Sequence, residues 1–255
     1  MNGNEYYRCG SEVFLKELPY CILPTCHTIE AEALGGKVVF GENGIQPRVR
    51  EYAYAEVEQL LQLPEINFES GRIHKVLEEC KERSQKGETV LLEVVGPLTI
   101  LNGLIDIQLI LKAMCKKPDV IKMIFEKLEV ELLRYMLKAK NNGVTLISYA
   151  DPIGITDILG PKTALWMTEC FTVPFLKKVE ELADESTIIV LCPKITHMLL
   201  TFQKVEFQEM DISEKLNYGQ ACIAMTGKIK MVGMKCIKNA HMNMKDGKIK
   251  EIKWK

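Results

Sequence analysis

The chain has 255 residues, 47% of them hydrophobic and 26% charged, with 33 basic and 34 acidic side chains and a net charge of −1. That length accommodates one large α/β domain or two small ones, and the ordinary composition excludes a disordered or fibrous chain. The charge balance leaves no nucleic-acid footprint, no apolar run reaches membrane-spanning length, and the first residues lack the apolar stretch of a signal peptide, so the expected setting is cytoplasmic.

Residues 1–18 read as a polar lead-in. Residues 20–26 form a short apolar run ending beside His27 and read as the first strand, with Pro24 limiting its ladder contacts. A helix over 28–34 follows, with Thr28 as cap and Glu30 in the first turn, where the helix dipole favours an acid. KVVF (37–40) reads as a strand, and the glycine- and proline-marked loop after it is long enough to reach a binding site. Helices are expected over 56–61 and 71–86, the second stopped by Gly87.

TVLLEVV (89–95) is a buried-strand pattern broken only by Glu93, and Gly96-Pro97 ends it. A helix over 98–115 and a longer one from Pro118 to about residue 140 come next, ended by Asn141-Asn142-Gly143. Residues 144–149 form another strand, terminated by Ala150-Asp151-Pro152. A helix over 163–182 follows, with Pro174 bending it. TIIVLC (187–192) is a buried strand, then a short helix over 196–202. Strands are expected at 205–210, 221–225 and 228–236, with a helix at 212–218 between the first two. A turn at Asp246-Gly247 separates two short β-like runs.

Strands alternating with helices favour a parallel sheet with helical crossovers. Eight strands can be counted. The expected fold is a single-domain (β/α)8 TIM-type barrel, abbreviated at both ends, with a doubly wound open sheet as the alternative. No glycine-rich phosphate fingerprint follows the first strand, which weakens a dinucleotide-binding reading.

In a barrel, strand ends distant in sequence converge on one face, where ligands bind. Asp151 ends a strand there, as either a ligand-facing acid or a turn aspartate capping local backbone. Glu93 is an acid inside an apolar strand, costly to bury unless ion-paired or metal-bound. The nine cysteines are odd in number and scattered, which argues against a disulfide framework and leaves buried thiols, metal ligands or a reactive thiolate. Cys192 and Cys236 each end a predicted strand, and Cys26-His27 ends another. Two thiolates and a nitrogen or carboxylate make a catalytic zinc site; without a CxxC or HxxxH pattern, buried thiols are the competing reading.

Several stretches together resemble the uroporphyrinogen decarboxylase superfamily: Glu32-Ala-Leu-Gly35, Val95-Gly-Pro-Leu-Thr99, Tyr149-Ala-Asp-Pro-Ile-Gly154 with Leu159-Gly-Pro161, then Val173-Pro-Phe175 and the strand ending at Cys192. The superfamily contains decarboxylases and zinc-dependent methyltransferases that serve corrinoid proteins. The decarboxylase branch carries an arginine-containing N-terminal segment and an early catalytic aspartate. Here Arg8 alone stands in the lead-in, and no aspartate precedes Asp106, so the chain is more similar to the methyltransferases.

That resemblance implies methyl transfer between a small substrate or thiol and a corrinoid carried by a partner protein. It implies zinc on Cys192 and Cys236, with His27, Glu93 or Asp151 as third ligand, because Val190 stands where that branch has histidine. It further implies Asp151 and Glu93 as catalytic acids and Tyr149 and Gly154 at the cofactor side. A metal-free decarboxylase and a non-catalytic barrel that binds a corrinoid protein are the alternatives.

Overall fold

A computed structural model describes residues 18–24, 26–40, 47–212, 216–244 and 246–255. The expected lead-in with Cys9, part of the loop after Phe40 and part of the 212–218 segment lie outside the described residues.

Five strands run parallel, in the order β1 (Cys21–Leu23), β4 (Val90–Val95), β5 (Leu146–Ala150), β6 (Ile188–Leu191) and β8 (Met231–Val232). Their apolar runs are buried on both faces, which is why VLLEVV and IIVL show no polar alternation. Beyond β8 the sheet continues antiparallel through β9 (Lys248–Trp254) to the edge strand β7 (Val205–Asp211). No ladder joins β1 to β7 among the described residues, so these two are the sheet's edges.

The crossover helices share one face of the sheet. These are α2 (Gly71–Gln85), α5 (Pro118–Asn141), α7 (Val173–Glu180) and α8 (Pro193–Thr201). Val76, Phe125, Leu128, Phe175 and Leu199 pack there with Leu92, Val94, Ile147, Tyr149 and Leu191. The opposite face carries Ile22, Leu91, Leu146, Ile188 and Val190, covered by α9 (Tyr218–Ala224) through Tyr218, Ala221 and Cys222. Parallel strands with their crossover helices on one side are the arrangement of a barrel wall; a doubly wound sheet has helices on both.

Several elements differ from the sequence expectation. KVVF gives β2 (Lys37–Val39), which pairs with β3 (Arg48–Glu51) in a separate antiparallel ribbon rather than in the main sheet. The helix expected over 98–115 is two, α3 (Pro97–Asn102) and α4 (Ile107–Lys116), because the Asp106 side chain accepts the Gln108 N–H and starts a new helix. The strand expected at 221–225 is α9, opened by a reciprocal cap in which Asn217 and Gln220 each accept the other's backbone N–H. In the helix region that follows β5, α6 (Thr156–Met167) and α7 are joined through a π-helical turn, Thr168–Thr172.

Candidate active site

The loops after β1, β4, β5, β6 and β8 leave the sheet at the C-terminal ends of its parallel strands. Asp151, just past β5, is 1% exposed. Leu98 N–H and Thr99 N–H, in the first turn of α3, donate to its carboxylate at 3.2 and 2.9 Å, and the Thr99 hydroxyl donates at 2.6 Å. The acid therefore ties the β5 loop to the β4 loop. Burial raises its pKa to about 6, against the lowering effect of Thr99, Leu98 and Gly154.

Two glycines make the Asp151 arrangement possible. A Cβ on Gly96 would lie 2.5 Å from Asp151 Cβ and from Tyr149 Oη, and one on Gly154 would lie 2.6 Å from Asp151 Oδ2. Gly154 thus serves the aspartate turn, its N–H also reaching the Asp151 carbonyl at 3.0 Å. Tyr149 stands on the helix-covered side of the sheet, its ring 5.2 Å from that of Phe175. It packs the wall at this point.

Glu93 lies on the opposite face, in one row with Ser148, Val190 and Val232 of the successive strands. It is 5% exposed; Oε1 is 3.3 Å from His27 Nε2, while Oε2 has no partner. The His27 side chain, after β1, is 35% exposed and is the solvent-facing end of this pair. The neighbouring strands β1 and β4 bring the two together across 66 positions of sequence.

Glu30 joins them from α1 (Ile29–Ala33). It is 1% exposed, accepts the Val95 N–H at 3.0 Å through Oε1, and leaves Oε2 without a partner. Burial raises its pKa to about 7; Val95 N–H and His27 pull it down, and Glu93 pushes it up. The sequence signal for it was an acid among small apolar residues in a first turn, which dipole arguments alone explain. Beside this group, Arg72 donates to Cys26 Sγ at 3.1 Å and pairs with Glu32 at 2.8 Å.

Cys192 occupies the N-cap position of α8, and Cys236 that of the short 3-10 turn Ile237–Asn239. Both are half-buried. Burial raises the Cys192 pKa, the Lys194 and Ile195 N–H groups lower it, and the nearby Cys236 thiol raises it again. Gly233 lets the chain after β8 approach this corner; a Cβ there would fall 2.1 Å from Thr196 Oγ1 and 3.2 Å from Leu191 Cβ. The two sulfurs are thus electrostatic neighbours.

A catalytic zinc takes three protein ligands. Among the described residues no three or more His, Cys, Asp or Glu side chains are grouped to hold a metal. His27 is engaged by Glu93, Asp151 by α3, and Val190 offers no donor. The Cys192, Cys236 and His27 set expected from sequence does not form such a group among the described residues.

Comparison with known proteins gives a consistent picture. The chain is 24% identical over 197 residues to the methylcobamide:CoM methyltransferase MtaA of Methanosarcina barkeri, covering 76% of this chain and 57% of that protein. It is 20% identical over 199 residues to the methylcobamide:CoM methyltransferase MtbA of Methanosarcina mazei, covering 74% and 56%. A solved methyltransferase structure from Methanosarcina mazei shares the fold, with a TM-score of 0.60 at 24% identity over 73% of this chain and 55% of that one. The chain thus spans little more than half the length of these relatives. Residues 18–234 match the family model described as uroporphyrinogen decarboxylase (URO-D), and the chain belongs to that family.

Proposed function

We propose that this protein moves a methyl group between a corrinoid carried by a partner protein and a small thiol or similar small substrate, with His27 and Glu93 handling the proton. The observation that carries this reading is the pair formed by His27, after β1, and Glu93, within β4. Half-exposed His27 is backed by buried Glu93, in a chain whose curated relatives are named methylcobamide:CoM methyltransferases. The corrinoid supplies or accepts the methyl group.

The chain's own residues supply the rest. A thiol reacts as its anion, so the S–H proton must leave before sulfur bonds carbon. The exposed His27 ring receives it, and the Glu93 carboxylate, desolvated at 5% exposure, stabilises the cation that results. Asp151 fixes the rim by joining two adjacent loops. Cys192 and Cys236 follow β6 and β8, at the C-terminal edge of the parallel strands. Burial pushes the Cys192 thiol's pKa up from its ordinary value.

The test is methyl transfer from a methylated corrinoid protein to a panel of small thiols. His27→Ala and Glu93→Gln should each lower kcat by about 100-fold or more, the usual weight of general acid–base catalysis. Undiminished transfer in both variants would refute the role. Zinc content of wild type beside Cys192→Ser and Cys236→Ser decides the metal. The incomplete donor set predicts less than one equivalent in the wild type, and a full equivalent lost in either variant would restore zinc to the reaction.

A second reading is a barrel that docks a corrinoid protein without turnover. The missing third metal donor among the described residues favours it. Stable capture of a corrinoid protein with no transfer across the panel would support this reading over the first.

A further inference from the structure

The chain on either side of His27 is held from one point. Cys26 and Thr28 are 2% and 9% exposed, while the histidine between them keeps a side chain 35% exposed. Both neighbours bond to Arg72, the second residue of α2. Its Nη2 donates to Cys26 Sγ at 3.1 Å and to Thr28 Oγ1 at 3.4 Å, and the Thr28 hydroxyl donates to the same sulfur at 3.7 Å. Thr28 stands at the N-cap of α1, but its side chain makes no capping bond; the hydroxyl serves this cluster instead.

Arg72 is itself fixed. Its side chain is 7% exposed, its Nη1 lies 2.8 Å from Glu32 Oε2 of α1, and its guanidinium sits 5.0 Å from the ring of Phe40, which follows β2. A buried cation needs its counter-charge beside it, and a planar guanidinium keeps its nitrogens in fixed relative directions. One rigid fork thus sets the residues before and after His27 relative to α1 and α2. The His27 contact with Glu93 is 3.3 Å, longer than an ordinary N–H···O bond and a weak constraint on the ring. The ring's direction then depends on the backbone that Cys26 and Thr28 anchor.

We propose that Arg72 is the positioning residue for His27, clamping the residues on both sides of it so that the ring meets Glu93. It acts through the histidine and not on the substrate. The catalytic use of this clamp rests on the proposed methyl transfer; the clamp itself does not.

Arg72→Lys keeps a cation for Glu32 but offers a single point donor in place of the fork. In the transfer assay it should lower kcat by about 10- to 100-fold, the scale of a misplaced catalytic group, with KM within about twofold. In a His27→Ala background the same substitution should cost less than about twofold, because the group it positions is gone. An equal loss in both backgrounds, or no loss in an enzyme that His27→Ala does slow, overturns the clamp. Thr28→Val removes one of the two anchored groups and leaves the buried ion pair intact. It should show the same pattern at smaller size, and it takes the place of Arg72→Lys if thermal melting shows that variant unfolded. NMR ring signals of the four histidines at one fixed pH give a readout independent of turnover, with His27 assigned by His27→Gln. Those of His27 should shift and broaden in both variants while those of His74, His197 and His241 stay; unmoved His27 signals overturn the clamp whatever the activity. Shifted His27 signals with no transfer, or with transfer undiminished by His27→Ala, count against the proposed reaction alone.

Discussion

Glu30→Gln should stabilise the protein, and the gain should depend on pH in a defined direction. The glutamate is wholly buried, and its pKa moves from an ordinary 4.5 to about 7. A group whose folded pKa is raised contributes stability below its unfolded pKa and loses it as pH rises through the folded one. Above pH 7 the wild type therefore carries the full cost of an ionised Glu30, about 3 kcal/mol by linkage. Glutamine keeps a carbonyl oxygen for the Val95 N–H, whose bond to Oε1 is 3.0 Å long. Urea unfolding should thus show Glu30→Gln more stable by about 3 kcal/mol at pH 8 and by less than about 1 kcal/mol at pH 5. Equal differences at the two pH values, or a variant weaker than wild type at pH 8, would refute the assignment of a strained buried carboxyl.

Two further substitutions probe the rim. Asp151→Ala strands the Leu98 and Thr99 N–H groups and the Thr99 hydroxyl; it should cost about 3 kcal/mol at pH 5 and less at pH 8, where the wild type bears the cost of a charged Asp151 with its pKa near 6. Chemical unfolding at both pH values checks the size and the sign. Gly96→Ala places a Cβ 2.5 Å from Asp151 Cβ and Tyr149 Oη, both in buried side chains, and should destabilise by about 1–3 kcal/mol. A thermal midpoint unchanged from wild type would show that this corner is looser than described.

The parallel wall was legible because central strands buried on both faces leave uninterrupted apolar runs, as in VLLEVV and IIVL. Proline at the first helical position marked α5 just as clearly, whereas α8 starts at Pro193, three residues before the helix expected from residue 196. Where the reading failed, a local signal had been outweighed. Asp106 was read through as helix interior, and Asn217 and Gln220 were passed over in favour of the β-like residues after them. Lys37–Val39 has strand chemistry but no buried face, so nothing in its pattern says which sheet receives it. Asp151, Cys192 and Cys236 stood out as polar or sulfur residues at strand ends, and Glu93 as an acid inside an apolar strand. Their pairings did not, because the bonds from Glu93 to His27 and from Asp151 to Thr99 cross 66 and 52 positions that only the strand order brings together.

Asp151 has a mechanical consequence. Because one carboxylate gathers donors from the start of α3 while its own backbone carbonyl holds Gly154, the second and third parallel strands present their tips as one plate. Neither tip swings open without breaking charge-assisted bonds in a dry environment. The amide hydrogens of Leu98, Thr99 and Gly154 should then exchange with solvent at a common rate, set by a joint opening rather than by each loop's own fraying.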